Sequence, residues 1–330
     1  MANQDLAPEQ LLRKASDMVP VLKDRAAVTE VLRRIPDESV QDLLASRLHL
    51  IGVPERFGGL NVDYGLMLEV GAVLGSGCGS TSWCYSIWAA HSWLVGFWPL
   101  EAQKEVFGNG ADTLVSSSLN AGKSTLEKVT GGFRLAGRWE FSSGSDAAGW
   151  VMVGALCPEG LVWVLVPRSD YEIVDTWFVS GLRGTGSNDI VAKGVFVPNH
   201  RVLVVDQAGD EDQTAWELHR QDRYRLPVRV LLGWDLVAPM VGIAQGTINE
   251  FTNLLAGTSG SGRTAESEGV QLRLSQASAE LDAARALMRA DIRETLKKAG
   301  NGDGFNTLER ARLRRDKAFV AQLCLSSVNR

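Results

Sequence analysis

The stretch LEKVTGGFRLAGRWEFSSGSD, Leu126 to Asp146, alternates apolar and polar residues on both sides of Gly131-Gly132. That is the pattern of two strands joined by a tight turn. Working outward, TLVSSSL precedes it, and GWVMVGALC, GLVWVLVPR, YEIVDTWFV and DIVAKGVFVP follow, with Pro158-Glu159-Gly160 supplying a second turn. The spacing predicts a β-domain over 111–205. Further upstream the period is helical: PEQLLRKASDMVPVLKDRAAVTEVLRRI places apolar residues three and four apart, and DESVQDLLASRLHLI continues the pattern to the break at Gly52-Val53-Pro54. A Gly-rich turn and two tightly packed helices are expected from Glu55 to Trp98. Downstream, an acidic, Gly-containing linker leads to three helical segments, Leu226 to Ala256, Gly269 to Ala299 and Thr307 to Arg330. The expectation is an α+β chain in three domains: helical over 1–110, a β-sandwich or barrel-like domain over 111–205, and a helix bundle over 206–330. The last helix ends in LCLSSVNR without a cap glycine or proline, so the bundle reads as incomplete at Arg330.

With 330 residues, 45% of them hydrophobic, the chain has the composition of a globular protein with a large core. A net charge of -5 argues against a nucleic-acid partner. Arg312, Arg314, Arg315 and Lys317 cluster, but in a helical pattern that reads as a solvated face. Cys78, Cys84, Cys157 and Cys324 form no CxxC pair and have no histidine at ligand spacing, so no metal site is expected. The first residues lack the apolar core of a leader, and the run from Leu226 to Leu255 carries Arg229, Asp235 and Glu250, which makes it a buried helix rather than a membrane span. A reducing cytoplasm fits these features.

Two motifs fall short. Asn120-Ala121-Gly122-Lys123-Ser124 ends like a P-loop, but Ser117 stands where the first glycine belongs and no helix follows. GLRGTGSND, Gly181 to Asp189, has its glycines in the order GxxGxG and lies between strands, which does not support a dinucleotide fold. Of the four histidines only His91, in WAAHSW, sits in apolar company. A lone histidine on a helix is ordinarily a packed donor to a backbone carbonyl.

Four segments taken together carry more information: GSTSWCYSIWAAHSW (79–93), LVSSSL (114–119), LAGRWEFSSGSD (135–146) and DTWFVSGLRGTGSNDIVAKGVFVPNHR (175–201). Their order and residue types resemble the acyl-CoA dehydrogenase fold and, within it, the oxygenase components of two-component flavin-dependent monooxygenases that hydroxylate phenols. The superfamily pattern G-x-x-x-W-[IV]-[ST]-[NSG] is matched by Gly137 to Gly144, with Phe141 in the tryptophan position. The strand that closes the family's β-domain is matched by VFVP, Val195 to Pro198.

The resemblance implies a flavin, reduced FMN or FAD, between the β-domain and the bundle, with Trp139, Phe141, Ser142, Ser143, Arg183 and Arg263 as its binding residues. Ser142 or Ser143 would stand near the reactive N5 edge, where holding N5-H and excluding water prolong the life of a C4a-hydroperoxide. Thr185 and Ser187 lie in the same loop as Arg183 and read equally as turn hydroxyls. Arg263 corresponds to an arginine that meets a flavin phosphate, although its surroundings depart from the family form. His91, Ser117 and Ser143 are the expected catalytic residues, and His91, Trp88, Ser117 and Tyr224 the expected substrate contacts. His91 would hydrogen-bond or deprotonate the phenol. Trp216, His219 and Arg225 fall in a possible lid. Relatives continue through about two more helices carrying a second histidine.

The function implied is hydroxylation of a small aromatic substrate with O2 and reduced flavin supplied by a separate NAD(P)H-dependent flavin reductase, by a homotetramer. N- or S-oxygenation on the same scaffold stays open, as does an acyl-CoA dehydrogenase, for which Glu250 is the available bundle carboxylate. A ligand-binding protein without chemistry is a further alternative.

Overall fold

The computed structural model describes residues 7–209, 212–257 and 262–330. The chain opens with six helices: α1 (Pro8–Asp24), α2 (Ala26–Leu32), α3 (Asp37–Ser46), α4 (Tyr64–Gly75), α5 (Gly79–Val95) and α6 (Leu100–Phe107). Eight strands follow: β1 (Val115–Ser118), β2 (Lys123–Val129), β3 (Gly132–Ser142), β4 (Trp150–Cys157), β5 (Gly160–Pro167), β6 (Glu172–Val174), β7 (Asn188–Pro198) and β8 (Val202–Val204). The remaining helices are α7 (Thr214–His219), α8 (Val228–Leu231), α9 (Trp234–Gly257), α10 (Gly262–Ala265), α11 (Glu268–Asn301) and α12 (Thr307–Asn329).

The strands form two four-stranded sheets, ordered β1-β4-β5-β8 and β2-β3-β7-β6. All pairings are antiparallel except β1 with β4. Between the sheets lies an apolar layer of Leu135, Trp139, Val151, Val153, Val164 and Ile190. The other face of the first sheet packs on helices through Val115, Met152, Trp163 and Leu165, which join the helical core. Being covered on both faces explains why β4 and β5 read as unbroken apolar runs rather than alternating ones.

Local sequence accounts for the helix ends. The Asp63 carboxylate accepts from Leu66 N at 3.2 Å to start α4. Asn306 and Glu309 form a capping box on α12, and Gly302 ends α11 with φ 77°. In the helical part α4, α5 and α9 pack together, with α11 and α12 against α9.

Three expected elements differ. The segment Leu226–Ala256 is not one helix: Gly233, with φ 101°, separates α8 from α9. The break is held by Asp235, whose Oδ1 accepts from Gly233 N at 2.6 Å, and by Lys317, which donates to the Val230 and Leu232 carbonyls at 2.9 and 2.7 Å. This run is long and apolar enough to cross a membrane by composition, but most of it is buried inside the fold. The strand expected over YEIVDTWFV stops at Val174, because Asp175 turns out to pair with Arg33 and Asn188 Oδ1 takes the Thr176 and Trp177 amides. The helix after Pro36 ends at Ser46, since Arg47 takes φ 66° and leads into a 3-10 turn.

Candidate active site

Helix α5 meets the strands along one face, and four of its side chains cross to them. Trp83 Nε1 donates to Ser143 Oγ (3.1 Å), Cys84 Sγ to Thr185 O (3.5 Å) and Trp88 Nε1 to Gly144 O (3.2 Å). His91 Nδ1 lies 3.0 Å from Val115 O, and its Nε2 lies 3.1 Å from Ser117 Oγ. Residues 84, 88 and 91 share a helix face by their four and three spacing, so this seam follows from periodicity once the helix is placed.

His91 is 1% exposed, and burial among apolar groups pushes its pKa down to about 4, opposed by the hydrogen bond to Val115. The ring is therefore neutral near pH 7. A carbonyl can only accept, so the proton sits on Nδ1 and Nε2 is left as an acceptor. It follows that the Ser117 hydroxyl donates to Nε2, leaving the Ser117 oxygen lone pairs for another donor. Ser117 lies at the partly open end of this pair.

The turn after β3 is shaped by its backbone. A bulge falls between Trp139 and Ser142, and Phe141 takes φ 65°. Gly144 follows with φ 68°, and a Cβ there would stand 2.6 Å from Trp88 Nε1, so only glycine fits. Trp88, expected to contact substrate, holds this turn through its bond to Gly144.

Ser142 is fully enclosed and donates to Ser116 Oγ at 3.3 Å. Ser143 is 8% exposed, and its Oγ lies 2.7 Å from Ser187 Oγ, which lies 2.6 Å from Thr185 Oγ1. Thr185 Oγ1 in turn donates to Leu182 O at 3.0 Å.

The expected flavin residues separate. Trp139 is fully buried in the layer between the sheets, with its indole N-H given to Gly154 O at 2.7 Å, so its ring offers no free face. Phe141 is 65% exposed and meets Trp177 edge-on at 6.0 Å. Arg183 begins the turn before Thr185, and its Nε is buried with no partner among the described residues. Arg263 belongs to α10, but its side chain lies outside the described residues.

Tyr224 is not placed with His91. It is fully buried against Phe97 (5.2 Å) and His219 (4.6 Å), and a Cβ on Gly96 would collide with its hydroxyl. Gly96 is five residues beyond His91, roughly 140° around the helix axis. His219 Nε2 donates to Gly96 O at 3.1 Å, and Trp216 lies beneath Arg225 and Arg220, so this segment is packed on the end of α5. Glu250, the carboxylate that a dehydrogenase requires, is exposed and paired with Lys23.

Sequence reasoning missed Ser116 and the Val115 and Gly144 carbonyls. A backbone acceptor carries no side-chain signal, and nothing local to 114–119 indicates which of its three serines faces α5.

The family model "Acyl-CoA dehydrogenase, C-terminal domain" matches residues 235–330. The flavin-dependent monooxygenase oxygenase subunit HsaA of Mycobacterium tuberculosis is 33% identical over 98% of this chain and 84% of its own length. The FADH(2)-dependent resorcinol hydroxylase oxygenase component of Rhizobium sp. is 30% identical over 97% and 82%. The crystal structure of the M. tuberculosis HsaA monooxygenase superposes with a TM-score of 0.92 at 32% identity, covering 98% of this chain and 85% of that one. Similar to an oxygenase subunit in sequence along nearly its whole length, and sharing its three-dimensional structure, this chain belongs to the flavin-dependent monooxygenase oxygenase subunits built on the acyl-CoA dehydrogenase fold.

Proposed function

We propose that this chain is the oxygenase component that hydroxylates a small phenolic substrate with O2 and reduced flavin, the flavin being delivered by a separate NAD(P)H-dependent reductase. The observation that carries the reading is the His91–Ser117 couple, a buried neutral imidazole whose free nitrogen orients a serine at the partly open end of the pair.

A phenol O-H donates to the Ser117 oxygen, whose own proton is already directed at His91 Nε2. A base with a pKa near 4 does not strip the proton from a resting phenol. As the ring carbon ortho to the hydroxyl gains an oxygen atom, the phenol oxygen becomes carbonyl-like and its proton strongly acidic. At that moment a weak base suffices, and the proton passes through Ser117 to His91. Oxidation of an amine or sulfur lone pair has no use for this couple.

The residues at the neighbouring turn suit a flavin. Phe141 offers an uncovered ring, the Ser143 hydroxyl lies two residues on in the same turn, and the Arg183 Nε calls for an anionic or carbonyl acceptor. Phe141, Ser143 and Arg183 would hold FMN or FAD, with Arg263 the candidate for its phosphate. When bound, the reduced flavin supplies the electrons that turn O2 into a transferable oxygen atom. The Rhizobium relative is named as FADH(2)-dependent.

We take the chain to work as a cytoplasmic homotetramer with helical, β and bundle domains over 1–110, 111–205 and 206–330. All four cysteines are free, and apolar side chains stand exposed on the bundle at Leu254, Leu308, Phe319 and Leu325, which suits a buried subunit contact.

The test is to supply the purified chain with a flavin reductase, NADH, flavin and a panel of phenols, measuring hydroxylated product and hydrogen peroxide together. Product in excess of peroxide is expected, with His91→Ala and Ser117→Ala diverting the oxygen to peroxide. A chain that binds reduced flavin yet hydroxylates no phenol would refute the reading.

A further inference from the structure

The consecutive serines of β1, Ser116, Ser117 and Ser118, face two ways. Side chains alternate along a strand, so Ser116 and Ser118 share one face and Val115 and Ser117 the other. The second face looks to the helices: Val115 joins the helical core, and Ser117 Oγ lies 3.1 Å from His91 Nε2. The first face looks to the other sheet. Ser118 Oγ donates to Glu140 O at 2.7 Å, and Ser116 Oγ lies 3.3 Å from Ser142 Oγ.

These bonds are rungs between sheets. β1 is an edge strand, paired with β4 from Val115 opposite Trp150 to Ser118 opposite Val153, whereas β3 belongs to the other sheet. The ends of β1 are tied to the residue before β4 and to β5: Leu114 O accepts from Gly149 N at 3.0 Å, and Leu119 O from Trp163 Nε1 at 3.2 Å. Between those ends Ser116 and Ser118 reach β3 with matched spacing, alternate residues of β1 meeting alternate residues of β3 in the opposite direction. Ser116 and Ser142 are fully enclosed, so a hydroxyl left alone at either would carry its full desolvation cost. The rungs also straddle Phe141. Glu140 stands immediately before it and Ser142 immediately after, with Ser143 next.

We propose that Ser116 and Ser118 are positioning residues that fix the place of Ser117 relative to the Phe141 to Ser143 turn, and so the register between phenol and flavin. The inference rests on the proposed function, in which Ser117 takes the phenol oxygen and the turn holds the flavin. Both hydroxyls point away from the Ser117 face, so they act through the backbone of β1 rather than on the substrate. Transfer of an oxygen atom tolerates little displacement, a misplacement of about 1 Å costing on the order of 100-fold. Binding of phenol and of flavin depends on separate walls and tolerates it. When the ring carbon is out of register, the electrons of the reduced flavin still pass to O2, which takes up protons and leaves as hydrogen peroxide.

The experiment compares the unmodified chain with Ser118→Ala, Ser116→Ala and Ser118→Thr, each supplied with a flavin reductase, NADH, flavin and a phenol that the unmodified chain hydroxylates. Ser118→Ala is expected to lower the ratio of product to peroxide roughly tenfold, while KM for the phenol and the dissociation constant for reduced flavin change by less than about twofold. Ser116→Ala moves the ratio in the same direction and further, because it also strands the Ser142 hydroxyl. Ser118→Thr keeps the hydroxyl and restores the ratio. A second readout needs no turnover: amide hydrogen exchange of Ser116 to Ser118 in the flavin-free chain should quicken roughly tenfold in Ser118→Ala and recover in Ser118→Thr. Should Ser116→Ala fail to fold, the partly exposed Ser118 decides alone. A ratio or an exchange rate unchanged in folded Ser118→Ala overturns the proposal and leaves the proposed function standing, as does an equal loss of phenol or flavin affinity. If the unmodified chain hydroxylates no phenol, the proposed function itself fails, and the proposal falls with it.

Discussion

Lowering the pH separates the role assigned to His91 from ordinary packing. Its folded pKa is near 4 against 6.5 for a free imidazole, so between those values the unfolded chain holds a proton that the folded chain refuses. The associated stability is complete above pH 6.5 and is lost as the pH falls toward 4. At pH 4.5 the loss is about 2.5 kcal/mol, because each pH unit between the two values removes about 1.36 kcal/mol. The whole-protein pH profile hides this, because burial raises Asp235 and Asp291 to about 6 and their contributions run the opposite way. The comparison is therefore with His91→Asn, whose amide N-H replaces Nδ1-H toward Val115 but does not titrate. Urea unfolding of both proteins from pH 7.5 to 4.5 should show the variant less stable at high pH and the gap closing by about 2.5 kcal/mol at the low end. Long-range nitrogen–proton NMR reads the same ring directly. A gap that ignores pH, a ring titrating near 6.5, or a proton on Nε2 in place of Nδ1 would refute both the neutral imidazole and the direction assigned to the Ser117 proton.

Further outcomes follow from the same geometry. Ser117→Ala should lower hydroxylation roughly 100-fold while leaving flavin affinity unchanged, read as the ratio of product to peroxide. Gly144→Ala combines a left-handed backbone with a Cβ 2.6 Å from Trp88 Nε1, and should cost about 2–4 kcal/mol in denaturant unfolding. Lys317→Met strips the Val230 and Leu232 carbonyls of their donor at the α8–α9 break, and about 2–3 kcal/mol of stability should go with it. The Asp291 carboxyl is raised by burial and then by the neighbouring Asp316, so its ionisation opposes folding as the pH rises through 6. Asp291→Asn should therefore stabilise the chain by about 1–2 kcal/mol at pH 7, with the gain disappearing near pH 4 in thermal unfolding at the two values.

Much of the architecture was legible because it depends on local periodicity. The change from a helical to an alternating pattern near Asp112, the turns at Gly131 and Gly160 and the helices α11 and α12 all follow from residue order. The break at Gly233 was not, because its hydrogen bonds come partly from Lys317, 84 positions away on α12, and a glycine in an apolar helical run does not announce such a donor. The strand expected through Trp177 failed similarly, its amides being taken by Asn188.

The candidate site divides along the same line. His91 stood out from sequence as a titratable ring in apolar company, and the serine-rich strand and the GRWEFSSG turn carried the resemblance to flavin-dependent oxygenases. Residue order alone therefore determined the sequence of helices and strands and the chemical groups available. It could not determine that Trp139 and Phe141, of equal strand parity, point to opposite environments, because the bulge that reverses the parity is a property of β3 paired with β7. Nor could it determine the direction of a hydroxyl proton. Only the tertiary structure joined Trp83 to Ser143 and His91 to Val115, and the Val115 carbonyl, which can only accept, fixes the His91 tautomer and with it the direction of the Ser117 proton.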